Sequence, residues 1–183
     1  MAAAFIIAFV GMAMVRLGPL AAMVFFVASV GGFLLWIFTT YRTPIDSNKV
    51  IIPYLLTVIL FIVHVYEEYL TDFEVAISDI SGFHVLERDF LTVAAFAGPM
   101  IWLTGAILLL KKTDIGFYFL SFFYVAMIIA ELSHFIFPFI EDGTFHYVSG
   151  MYTAALPLIP ALYGLRITLS EITKERLKGR LSG

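Results

Sequence analysis

The sequence predicts an all-α protein, a polytopic transmembrane helix bundle of about five spans with a short apolar segment before it and a basic tail after it. Three observations carry that prediction. The chain of 183 residues is 61% hydrophobic and only 14% charged, against roughly 25% charge in a soluble domain, and its mean hydropathy is +0.97. Its apolar residues fall in runs of about twenty, the helix length that crosses a bilayer core of about 30 Å. The connections between those runs alternate in charge. The 19 Phe and 9 Tyr suit lipid contact or an apolar substrate. Cysteine is absent, which removes disulfides, thiolate metal ligands and a cysteine nucleophile. A net charge of −3 leaves no footprint for nucleic acid.

Residues 2–15, AAAFIIAFVGMAMV, are apolar but shorter than a span, and they lack the basic start of a signal peptide. They form a half-span, an interfacial helix or an extension of the first span, so 1–17 is set apart. Pro19 suits the first turn of a span that runs to about residue 40. The second span covers about 50–71 and the third about 91–110, with Gly98-Pro99 as a kink. The fourth covers about 115–137 and stops at Pro138; Phe117, Phe119, Phe122 and Phe123 make it a lipid-facing or packing surface. The fifth, about 148–165, contains Pro157 and Pro160 and should be bent or broken. The bundle thus occupies 18–166. Residues 167–183, with Lys174, Arg176, Lys178 and Arg180, form a basic tail at the headgroups.

Arg42 and Lys49, Lys111 and Lys112, and the tail are basic, whereas the connections around 72–89 and 141–142 are acidic. An excess of Lys and Arg belongs on the cytoplasmic side. Five spans in the cell membrane, N-terminus outside and C-terminus cytoplasmic, satisfy these loops. If residues 2–15 also cross, the N-terminus moves inside and the rest keeps its orientation.

The second span carries His64, Glu67 and Glu68, an imidazole with carboxylates at i+3 and i+4 on one helix face. The fourth carries Glu131 and His134 at i,i+3, and His146 follows at the mouth of the fifth. One acid at mid-membrane costs about 2.5–3.5 kcal/mol even on lenient insertion scales, so such a group needs a reason. His64 lies seven residues before Thr71 and Glu131 seven before Pro138, which sets both about 10 Å below the outer surface. No Lys or Arg lies inside spans two to five. The carboxylates must stay protonated, bond to the histidines or ligate a metal. Imidazole and carboxylate suit zinc and non-haem iron, and Glu-x-x-His pairs projecting into a bundle hold one or two ions. The candidate ligands are His64, Glu67, Glu68, Glu131, His134 and His146, with Glu67 and Glu131 as bridging ligands or general base. Surface readings suit His84, Asp72, Glu74, Glu141 and Asp142, and interface-belt readings suit Tyr66 and Tyr69.

His64-Val-Tyr-Glu67-Glu68 resembles the signature of the HXXEE-domain family, small multi-span prokaryotic membrane proteins regarded as membrane enzymes with no assigned reaction. Glu131-Leu-Ser-His134 resembles that family's later Asn-x-x-His motif, with Glu131 in place of Asn. Tyr147-Val-Ser-Gly150 stands where the family has Tyr-x-Pro-Gly, with Ser149 in place of Pro. The resemblance covers about 50–166, and the first 45 residues look like an addition. It implies a helical membrane site and leaves the chemistry open.

The leading reading is a metal-dependent membrane enzyme acting on a lipid or other apolar substrate from the outer leaflet, by hydrolysis with zinc or oxidation with iron. One rival is metal-free acid–base isomerisation or cyclisation of an isoprenoid. The other is a non-catalytic subunit of a membrane complex, and room remains for a homo-oligomer. A through-path for ions is disfavoured, because the inner halves of spans two to four offer only Thr57, Thr104 and Ser121 as polar groups.

Overall fold

A computed structural model describes residues 1–181. Among them the chain forms helices and no strands. The helices are α1 (Ala2–Arg16), α2 (Gly18–Phe38), α3 (Ile51–Leu70), α4 (Phe73–Ser81), α5 (Glu87–Leu110), α6 (Asp114–His134), α7 (Phe137–Glu141) and α8 (Ala155–Leu181). Five of these, α2, α3, α5, α6 and α8, are long and apolar enough to cross a membrane.

The bundle is wrapped around α6, which packs on α2, α5 and α8. Its phenylalanines are a packing surface: Phe117, Phe119, Phe122 and Phe123 are all buried. Trp102 of α5 lies 4.5 Å from the Phe123 ring and 5.0 Å from the Phe122 ring, centroid to centroid. Aromatic bulk therefore fills the centre, while α3 turns Ile52, Leu56, Ile59 and Ile62 outward, where lipid makes exposed apolar side chains inexpensive.

The segment 2–15, short as a span, forms a hairpin with α2. The chain reverses at Leu17, Gly18 takes φ +85°, and Pro19 sits in the first turn of α2. Phe9 then meets Phe25 at 5.0 Å, and Phe5 reaches Phe119 at 5.0 Å. Phe5 and Phe33 both pack on Tyr118. The Met1 end of α1 and the Phe38 end of α2 therefore share one end of the bundle. Lys49 at that end pairs with Glu171 of α8, and Arg176 donates to the Phe38 carbonyl at 2.7 Å. Both described chain ends thus lie at the basic end, the arrangement expected if residues 2–15 cross, and not on opposite sides. Arg16, at the hairpin turn, pairs with Asp89 at the acidic end.

Two proline effects differ in kind. Pro99 has no N–H to return to the preceding turn, and the kink before it is a π-helical stretch, Leu91–Ala97, closed by the Gly98 N–H on the Val93 carbonyl. Residues 148–154 form turns, so the fifth long helix begins only at Ala155. From there it continues past Pro160 to Leu181 without interruption. At the other end of the bundle, α4 packs on α2, α3 and α7. Glu74 is buried there with Oε2 lacking a hydrogen bond, in place of the surface position read from the sequence.

Gly32 of α2 lets that helix cross α6 at close range: a Cβ there would stand 2.4 Å from Phe122 Cα, backbone that cannot swing away. Gly32→Val should therefore lower stability by about 1–3 kcal/mol, seen as a reduced midpoint in detergent thermal unfolding. Gly11→Val, with nothing within 4 Å of its Cβ position, should be near neutral.

Candidate metal centre

Four of the six candidate residues come together: His64 and Glu68 from α3, and Glu131 and His134 from α6. The i,i+4 and i,i+3 spacings aim each pair at the other helix. All four are buried, with His64 2% and Glu131 1% exposed. Glu68 Oε1 stands 3.5 Å from His64 Nε2 and 3.4 Å from His134 Nε2. One ligand atom each from His64, Glu68 and His134 lies within 4.8 Å of the others, so this triad could hold a metal ion. Glu131 borders it, with Oε2 3.1 Å from His64 Nε2. Phe73 and Phe137 cover His134, with ring centroids at 5.3 and 5.8 Å. Because α6 ends at His134, earlier than residue 137, the cluster sits at the very end of the bundle.

The far side of each imidazole fixes its tautomer. His134 Nδ1 lies 2.9 Å from the Ser149 carbonyl oxygen, which only accepts, so Nδ1 carries the hydrogen. His64 Nδ1 lies 3.0 Å from Thr153 Oγ1, and that hydroxyl donates its own proton to Glu67 Oε2. Thr153 Oγ1 must then accept from His64 Nδ1–H. Both Nε2 atoms consequently point toward carboxylates, and in the neutral rings each offers a lone pair there. Hydrogen bonding on the remote nitrogen is how protein metal sites orient ligating histidines.

Distances distinguish two ways of relieving four converging acceptors. Charged N–H to carboxylate hydrogen bonds run about 2.7–2.9 Å, shorter than the 3.4 and 3.5 Å found to Glu68. Donor atoms around a tetrahedral ion at about 2.0–2.1 Å are about 3.3–3.4 Å apart. Glu131 Oε2 is buried and makes no hydrogen bond. The donor set fits a cation.

Glu67 and His146 stand elsewhere. The Glu67 carboxylate accepts from the Tyr147 hydroxyl at 2.8 Å, the Tyr152 N–H at 3.2 Å, the Thr153 N–H at 2.7 Å and the Thr153 hydroxyl. With four donors it clamps the 147–153 turns instead of joining the cluster. Of the two adjacent carboxylates only the i+4 one faces α6. His146 lies in the acidic-end connection, where Nε2 meets Glu141 at 3.0 Å and Nδ1 meets Asp142 at 3.4 Å, local partners that hold it away from the bundle.

Thr153 and the Ser149 carbonyl went unmarked in the sequence. A threonine and a backbone oxygen have no signature of their own, although Tyr147-Val-Ser-Gly150 singled out the segment. Gly150 explains that segment physically. It sits at φ +88°, and a Cβ on it would lie 2.5 Å from His134 Cε1 and 3.0 Å from His64 Cε1. Only glycine lets the backbone close over both rings.

The cluster forms one wall of an apolar cavity of about 120 Å³ that reaches inward between α2, α5 and α6 to Trp102 and Phe122. Comparison with family models, with curated proteins and with solved structures finds no match to the chain.

Gly143 and Gly150 both have positive φ, but nothing lies within 4 Å of a Cβ at Gly143. Gly150→Ala should therefore destabilise more than Gly143→Ala, by about 1–3 kcal/mol, and only Gly150→Ala should move the His64 and His134 imidazole NMR signals. The Glu141 hydrogen bond raises the His146 pKa from its ordinary value. A titration by NMR should place it above about 6.5, and Glu141→Gln should lower it. Because the folded value is the raised one, this pairing supports the fold at low pH and is lost as pH rises through the raised value.

Proposed function

We propose that the protein is a metal-dependent integral membrane enzyme that hydrolyses a lipid or other apolar substrate, with zinc as its ion. The observation that carries this reading is a buried donor set of two histidines and one glutamate in the wall of an apolar cavity. Two imidazoles and one carboxylate, with a position left over, are the donors of hydrolytic zinc sites. The same donors serve non-haem iron, but Glu131 favours hydrolysis: it is a carboxylate beside the donor set with no hydrogen bond committed elsewhere. The three mutually close donors suit one ion, and Glu131 alone does not supply a second set.

When bound, the ion would polarise the scissile carbonyl and acidify water. His64, Glu68 and His134 hold it. Glu131 takes a proton from water and returns it to the leaving group. Thr153 and Ser149 keep both imidazoles in the ligating tautomer, and the cavity receives the apolar part of the substrate. Acid–base isomerisation without a metal would use the Glu131 carboxyl and His64, 3.1 Å apart, and would leave Glu68, at 3.4 and 3.5 Å from the two imidazoles, without a role.

The positive-inside rule orients this reading. The basic end is cytoplasmic, with both described ends there, and the cluster lies in the outer leaflet. Within the HXXEE resemblance, His64 and the second glutamate, Glu68, become ligands, and the first, Glu67, becomes the clamp.

Metal content of detergent-purified protein, measured by mass spectrometry, tests the reading. About one zinc per chain should be present, should be lost in His64→Ala and His134→Ala, and should persist in Glu131→Gln. Esterase activity on lipid-like esters should fall by a factor on the order of 10²–10⁴ in Glu131→Gln. Zinc-free protein after loading, or zinc retained in both histidine variants, would contradict it.

A further inference from the structure

The cavity has a shape that the donor set does not explain. On α6 its lining runs from Phe122 through Ala126 and Ala130 to His134, a stretch that rises about 18 Å along the helix. On α5 it runs from Phe90 through Ala94 and Gly98 to Trp102, and on α2 from Leu17 through Ala21 to Phe25. Ala94 and Gly98 of α5 and Ala126 and Ala130 of α6 are the small residues of this lining, and Phe25, Trp102 and Phe122 stand at its inner end. The inner aromatics touch one another: Trp102 and Phe122 at 5.0 Å, Phe9 and Phe122 at 5.7 Å, Phe9 and Phe25 at 5.0 Å. They form a floor, to which α1 contributes Phe9.

A volume of about 120 Å³ is less than an apolar cavity of about 150 Å³ that takes one benzene ring. It therefore holds about five carbon atoms, enough for a short chain and not for one that runs the full length of the lining. The ionisable groups of the lining are confined to His64, Glu68, Glu131 and His134 at the acidic end, with Ser133 beside them.

We infer that this cavity is a slot for one hydrocarbon chain, entering tail first, whose accepted length is set by the floor of Phe9, Phe25, Trp102 and Phe122. The substrate class is therefore a single-chain amphiphile with its polar, hydrolysable head at the donor cluster. The head assignment rests on the metal reading above; the slot rests on the lining alone. Ala94, Gly98, Ala126 and Ala130 hold the passage open, and Trp102 is the residue that stops the chain.

Binding of two graded series to the full chain, alkyl hydroxamic acids and the matching primary alcohols from about two to about twelve carbons, tests this. Each added methylene should tighten binding roughly fourfold until the tail meets the floor, after which the gain should cease in both series. Trp102→Ala should move the break about two to four carbons longer, and Ala126→Leu should move it shorter; the second variant serves if the first does not fold. No break, or a break that neither change moves, overturns the slot. A break that moves in the alcohols, with hydroxamates gaining nothing from their head, keeps the slot and defeats the metal reading. Hydroxamates that bind regardless of tail length keep the metal and defeat the slot.

Discussion

Everything at the acidic end of this bundle depends on one frustrated contact: two imidazole lone pairs and two carboxylates aimed at one another in a site from which water is largely excluded. Each histidine is committed from behind, His134 to the Ser149 carbonyl and His64 to Thr153, so an inward N–H needs either the loss of a buried hydrogen bond or a second proton on the ring. In a low-dielectric surrounding such convergence is costly. The surrounding structure spends many interactions on maintaining it: a four-donor clamp on Glu67, a glycine with positive φ over the rings, and two phenylalanines against His134. A cation at the centre would turn these opposed groups into a coordination shell.

Side-chain size is sorted along the bundle to match. Aromatics of α1, α2, α5 and α6 meet in the middle of the bundle, small residues line the passage above them, and polar donors gather at its end. The α1–α2 hairpin belongs to this plan, because Phe9 and Phe25 complete the floor. The exposed Tyr66 and Tyr69 on α3 suit the interfacial belt that anchors membrane helices.

The number of long helices, the approximate bounds of the first four and the meeting of the α3 and α6 motifs were legible because bilayer thickness fixes span length, and because loop charge and helical spacing placed His64 and Glu131 at one depth. The i,i+3 and i,i+4 positions of Glu67 and Glu68 lie on one face at the resolution of a helical wheel. Only the 147–153 turns, which offer Glu67 four donors, separate them. His146 sat near the right depth, but Glu141 and Asp142 are closer in sequence and hold it. The packing of residues 2–15 into the bundle was out of reach, since an apolar helix of that length suits lipid and protein equally until its partners Phe25 and Phe122 are known. Thr153 acts through position alone, which spacing within one helix cannot show.

The most direct test of the central claim is X-ray absorption spectroscopy on the zinc-loaded protein. This account predicts a low-coordinate first shell at about 2.0–2.1 Å with the outer-shell scattering of two imidazoles, and the loss of that spectrum in His134→Ala, which should not retain the ion. A spectrum with oxygen ligands only, or one unchanged in that variant, would mean that the ion binds elsewhere and that the buried His–Glu cluster is not its site.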